Sequence, residues 1–129
     1  MASIMPSPLS RHRVLRSADI DEGITCYSRL LTRCDVSARG RVDADVLVDV
    51  AAARLGPVTL VYGHHRGAEL DVELQDPVDY YDIHFCLNDA SSVVGGFGAI
   101  RFDTCTAGIL SPGMRVAMTL PREYRQLHV

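Results

Sequence analysis

The chain has 129 residues, 47% of them hydrophobic and 22% charged, with a formal net charge of −3. These figures fit one globular domain with a single core and exclude a disordered chain. The acidic balance argues against nucleic-acid binding by this segment itself, because phosphate binding needs a clustered basic surface, and apolar stretches such as Val46–Val48 and Val50–Ala53 fall far short of the roughly 18 residues that span a bilayer.

Met1–Pro8 has neither a basic opening nor an apolar h-region, so nothing marks a signal peptide and a cytoplasmic location is expected. Residues 1–16 read as an N-terminal arm. Its prolines, serines and the cluster Arg11, His12, Arg13 and Arg16 suit a flexible, solvated terminus, and the sharper reading is a lid over a ligand or a neighbouring subunit. The domain proper is expected over residues 17–129. A helix begins near Ser17 or Asp19, with Glu22 placed as in a capping box and Asp19, Asp21 and Glu22 at the positive end of the dipole. Ile20, Ile24, Tyr27, Leu30 and Leu31 fall on one face at helical spacing, and the helix should end between Thr32 and Asp35, before a loop that includes Gly40.

From Ala44 onward the pattern changes to short β segments separated by turn residues. Ala44–Leu55 interleaves valines with Asp45 and Asp49, Gly56-Pro57 interrupts it, and Val58–Gly63 resumes. In Ala68–Gln75 Leu70, Val72 and Leu74 alternate with Glu69, Asp71 and Glu73; in Asp79–Leu87 Tyr81, Ile83, Phe85 and Leu87 alternate with Asp82, His84 and Cys86. Asn88-Asp89 and Gly95-Gly96 are further turns, leading to Gly98–Phe102 and Ala107–Leu110. Ser111-Pro112-Gly113 is a tight turn before Arg115–Leu120 and Glu123–Val129. The fold class is therefore mainly β, sheet packed on sheet in a closed barrel, because a single half-dry sheet would leave its apolar face in water. The chain stops in mid-strand, which suggests a domain of a longer polypeptide, and its basic side chains are Arg without Lys, a bias of GC-rich bacterial genomes.

The order of these features resembles a known family. A helix opening Ser-x-Asp-x-x-Glu, then Gly56-Pro57-Val58-Thr59-Leu60-Val61-Tyr62-Gly63, then Tyr81-x-Ile83-x-Phe85-x-Leu87, then Leu110-Ser111-Pro112-Gly113, looks like the N-terminal, cupin-like sensor domain of AraC/XylS-type transcriptional regulators. The resemblance covers residues 17–129. It implies a cupin-like double-stranded β-helix, or jelly-roll barrel, that holds a small-molecule effector and promotes homodimerisation. It also implies that DNA is read only through a C-terminal helix-turn-helix domain that this chain lacks. Asn88-Asp89 departs from relatives that place Gly in that turn, which bears on the local hairpin.

Catalytic machinery is not visible: there is no Gly-x-Ser-x-Gly elbow, no phosphate loop, and no pair of carboxylates in contrasting settings. Metal-dependent cupins use a His-x-His pair on one strand face, whereas His64 and His65 are adjacent and point to opposite faces. No cofactor and no metal is therefore expected; the alternative is a stand-alone metal-dependent cupin enzyme with His64, Glu69 and His128 as ligands. Cys26, Cys34, Cys86 and Cys105 lack C-x-x-C spacing and read as small buried hydrophobes, and His84 reads as a satisfied imidazole on the wetter face. Strand parity puts Leu60, Tyr62 and His64 on the inner face with Leu70, Val72, Leu74, Tyr81, Ile83 and Phe85, and lines the other sheet with Ile100, Phe102, Val116 and Met118. The candidate ligand contacts are Tyr62, His64 and Tyr81, with Phe85 and Met118 as apolar walls.

Overall fold

A computed structural model of the chain describes residues 7–88, 91–95 and 98–129; the expectations for residues 1–6, for Asp89 and for Gly96 fall outside these. The described strands are β1 (Arg13–Ser17), β2 (Cys34–Ala38), β3 (Leu47–Leu55), β4 (Val58–Arg66), β5 (Leu70–Leu74), β6 (Asp82–Cys86), β7 (Ser91–Gly95), β8 (Gly98–Phe102), β9 (Gly108–Leu110), β10 (Val116–Leu120) and β11 (Glu123–His128), with one α-helix, α1 (Ile20–Leu30). Their pairing is antiparallel throughout. One sheet runs in the order β1-β3-β4-β11-β6-β9 and the other β2-β5-β10-β7-β8.

Local chemistry sets several boundaries. Asp19 caps α1 by accepting from the Asp21 amide at 2.9 Å, and the Ser17 hydroxyl accepts from the Asp19 amide at 2.9 Å. The β3–β4 hairpin closes through Gly56-Pro57, where Gly56 takes a φ of 60°, a left-handed value that β-branched residues resist. Gly113 has a φ of 85° and completes the Ser-Pro-Gly turn anticipated from the sequence. In α1, Gly23 has a packing reason: a Cβ there would lie 2.8 Å from a Val48 methyl, so the helix approaches β3 closely only because this side chain is missing.

The core has two parts. One gathers Val48, Val50 and Val61 against Leu15, Ile20, Tyr27, Leu30 and Leu31, which seals α1 onto β3 and β4. The other gathers Leu70, Phe102, Leu110, Val116, Met118, Leu120 and Tyr124 between the two sheets. Burying one such apolar side chain contributes about 1.5–3 kcal/mol, so these clusters outweigh any single surface contact.

Two strands arise where no strand was expected. β1 lies in the segment read as arm plus helix start, and it pairs with β3 while Arg13 makes a two-point ion pair with Asp49 at 2.9 and 3.2 Å. β2 replaces the loop expected after the helix and pairs with β5. Strand parity also needs correction. In β4 the inward positions are Val61, Gly63 and His65 rather than Leu60, Tyr62 and His64, and in β6 they are Asp82, His84 and Cys86 rather than Ile83 and Phe85. In β5 and β10 the expected inward residues, Leu70, Val72, Leu74, Val116 and Met118, do face the interior. Phe102 is buried there as well, whereas Ile100 is 42% exposed. No helix among the described residues is long and apolar enough to cross a membrane.

Candidate functional site

A cavity of about 100 Å³ lies between α1 and the inner faces of both sheets. The apolar stripe of the helix, Ile20, Ile24, Tyr27 and Leu31, forms one wall while part of it also packs on β3 and β4. Leu70, Val72 and Leu74 of β5 and Met118 and Leu120 of β10 form the opposite wall. Polar side chains enter from β4, β6, β11 and the segment before β6: His65, Asp82, Gln126, His128 and Tyr80.

Those polar groups belong to a buried network built by register. β11 pairs with β6 so that His128 lies opposite His84 and Gln126 opposite Cys86. Inward residues of the two strands are therefore neighbours on one face. Nδ1 of His128 contacts the Asp82 carboxylate at 2.9 and 3.0 Å, and its Nε2 contacts Gln126 Oε1 at 2.8 Å. Tyr27 reaches from the helix to Gln126, and its hydroxyl sits where a Cβ at residue 63 would have to be, so Gly63 is the residue that admits it. Burial pushes the Tyr27 hydroxyl well above the ordinary tyrosine range.

Deeper in the barrel the Tyr124 hydroxyl lies 2.8 Å from His84 Nε2 and 2.6 Å from the Cys86 sulfur. His84 is fully buried, its ring centroid 4.5 Å from that of His128 and 5.8 Å from that of Phe102. Burial, reinforced by His128, lowers its pKa to about 2, so this imidazole is neutral throughout the physiological range. Among the described residues its Nδ1 has no hydrogen-bond partner. His65 is fixed differently: its Nε2 lies 2.9 Å from the Pro121 carbonyl, and burial lowers its pKa.

Of the five residues anticipated as ligand contacts, Met118 alone lines this cavity. Tyr62 is 2% exposed, yet it faces the other side of β4, near Asp49, Arg125 and Ser7. His64 shares that outer side, 3.3 Å from Glu123. Tyr81 is 69% exposed and Phe85 37% exposed. The physical reason is that β6 and β11 turn polar residues inward and satisfy them across the strand pair, leaving apolar side chains outside. Alternation reports period two but not which face is dry. His84, expected on the wetter face, is correspondingly fully buried.

His64, Glu69 and His128 are not brought together: His64 pairs with Glu123 outside the barrel, Glu69 lies 3.9 Å from Arg39, and His128 is buried against Asp82. No three His, Cys, Asp or Glu side chains among the described residues converge to hold an ion. Of the four cysteines, Cys86 is buried as expected, Cys26 and Cys34 are half-buried, and Cys105 is exposed.

No family model matches the chain. No curated protein matches it in sequence. Among solved structures it is similar to the AraC-like transcriptional activator CuxR, with a TM-score of 0.71 and 12% identity over 90% of this chain and 46% of that one. The present chain thus spans about half the length of that activator. Weaker likenesses are to the Clostridium difficile EutQ protein, with a TM-score of 0.49 and 13% identity over 88% of this chain and 90% of that one, and to the cupin domain of Schizosaccharomyces pombe Cnp3, with 0.44 and 15% over 63% and 61%. At 12% identity the likeness to that activator is one of fold, and the fold is the mainly β, cupin-like barrel with an N-terminal helix that the resemblance implied.

Proposed function

We propose that this domain is the effector-sensing and dimerising part of a bacterial, cytoplasmic AraC-type transcriptional regulator, and that its small-molecule effector enters the cavity between α1 and the barrel. The observation that carries the reading is the placement of that cavity. One wall is the helix, and the helix packs on β3, the strand that also holds β1. A ligand that contacts Ile24 or Tyr27 therefore acts on the same element that joins the N-terminal segment to the sheet. The likeness of fold to an AraC-like activator over 90% of the chain supports the same reading.

In this proposal the ligand shifts the equilibrium between two arrangements of α1 and β1 by its differential affinity for them. The change is read out in the dimer, and through it by a helix-turn-helix segment encoded after residue 129. Met118 is a wall of the effector site.

The test is a thermal-shift screen of the chain against small metabolites, repeated with Met118→Trp, which fills the cavity. A ligand of the folded state raises the melting temperature, and the filled variant should lose that response. Hits that survive Met118→Trp unchanged would place binding elsewhere and remove the cavity from the proposal. A coding sequence with no helix-turn-helix segment downstream would remove the regulator assignment.

A further inference from the structure

The chemistry of the cavity lining restricts what it can accept, on the reading that this cavity is the effector site. Its size, about 100 Å³, is of the same order as the roughly 150 Å³ apolar cavity that takes up benzene. Ile24, Val36, Leu74, Val78, Leu110 and Met118 give it apolar walls.

Most polar groups at its edge are already committed to one another. His128 uses both ring nitrogens, on Asp82 and on Gln126. Gln126 also engages Tyr27, and His65 engages the Pro121 carbonyl. A sugar, with a hydroxyl on nearly every carbon, would leave most of those hydroxyls unmatched, and each unmatched buried group weakens binding.

Asp82 and Tyr80 are among the lining groups that retain capacity. The Asp82 carboxylate has two acceptor oxygens, and among the described residues both meet the same donor, Nδ1 of His128. Tyr80 lines the cavity, and its hydroxyl has no hydrogen-bond partner among the described residues. Burial and the neighbouring Asp82 push its pKa to about 12, so it stays protonated and able to donate. Together they suit a group that donates to a carboxylate and accepts from a phenol, which is a neutral hydroxyl. A carboxylate ligand would bring a second negative charge beside Asp82 in an apolar enclosure, which is unfavourable.

We propose that the cavity selects a neutral, compact, largely apolar molecule of about one ring that carries a single hydroxyl, bound with that hydroxyl between Tyr80 and Asp82.

Calorimetric titration of the 129-residue chain with phenol, benzene, benzoate and D-glucose tests this, with the methyl resonance of Met118 reporting entry into the cavity. Phenol should bind and shift that resonance, benzene should bind more weakly, and benzoate and glucose should bind at least tenfold more weakly than phenol. Tyr80→Phe should weaken phenol about five- to tenfold and leave benzene unchanged, the loss of one hydrogen bond; benzene binding also shows that the variant is folded. Benzoate or glucose binding as tightly as phenol, benzene matching phenol, or a Tyr80→Phe protein that keeps full phenol affinity would each overturn the ligand class while leaving the cavity as a binding site. Failure of all four compounds to move the Met118 resonance would overturn both the ligand class and the effector-site reading beneath it.

Discussion

Nδ1 of His128 on β11 lies 2.9 Å from a carboxylate oxygen of Asp82 on β6, and each side chain is only 8% exposed. Removing one member leaves the other buried without its partner. Asp82→Ala should therefore lower stability by about 1–3 kcal/mol, whereas replacing both residues by leucine should cost much less than the two single changes added together. Urea unfolding of the two single variants and the double variant measures the coupling. Strictly additive losses would show that the pair does not act as a unit.

His84, next to that pair, gives a pH signature. Its folded-state pKa of about 2 lies below the ordinary value of 6.5, so between those values the unfolded chain binds a proton that the native chain refuses. Stability is complete above about pH 6.5 and declines as the pH falls toward 2, with a slope approaching 1.4 kcal/mol per unit from this group alone. His65 and His64, also lowered chiefly by burial, act in the same direction over the upper part of that range. His84→Leu should flatten the dependence between pH 6 and pH 4. Unfolding free energies of wild type and variant that fall in parallel with pH would contradict the assignment.

The sequence made the sheet content and the helix legible, because period two and period 3.6 are written in side chains that must be buried. It did not make β1 or β2 legible, because both are edge strands with mostly exposed or half-exposed side chains, so neither carries an apolar alternation. Order within the sheets was also hidden: β11 lies between β4 and β6, a pairing across more than 35 residues with no local trace. The site was the least legible part. β5 and β10 keep apolar residues inside, so Leu74 and Met118 could be placed, but β6 and β11 put Asp82, His84, Gln126 and His128 inside. A polar residue is tolerated there only because its partner on the neighbouring strand is also polar, and that is a property of the pair. The repeat Tyr124-x-Gln126-x-His128 is the trace that would have found it, read against Asp82-x-His84-x-Cys86.

This inversion of faces has a direct mutational consequence. Tyr81 is 69% exposed, and Tyr81→Ser should change stability by no more than about 0.5 kcal/mol. Met118 is 9% exposed within the core, and Met118→Ala should cost about 2–5 kcal/mol. Chemical denaturation of the two variants distinguishes the faces. Comparable losses at both positions would restore the opposite parity for β6.

Gly63 offers the sharpest steric test of how α1 is seated. A Cβ at this position would fall 1.5 Å from the Tyr27 hydroxyl oxygen and 2.7 Å from the ring carbon that bears it. Tyr27 therefore holds its place against β4 only while residue 63 has no side chain. Gly63→Ala should destabilise the domain by about 1–3 kcal/mol as the ring is displaced and its contact with Gln126 is lost. Tyr27→Leu removes the atoms that clash and sacrifices the same contact, so adding Gly63→Ala to it should cost little further. Thermal unfolding of both single variants and the double variant gives this difference. A double variant that loses the full sum would mean that the helix is seated on β4 by contacts other than this one, and that Tyr27 can leave the cavity wall without releasing α1.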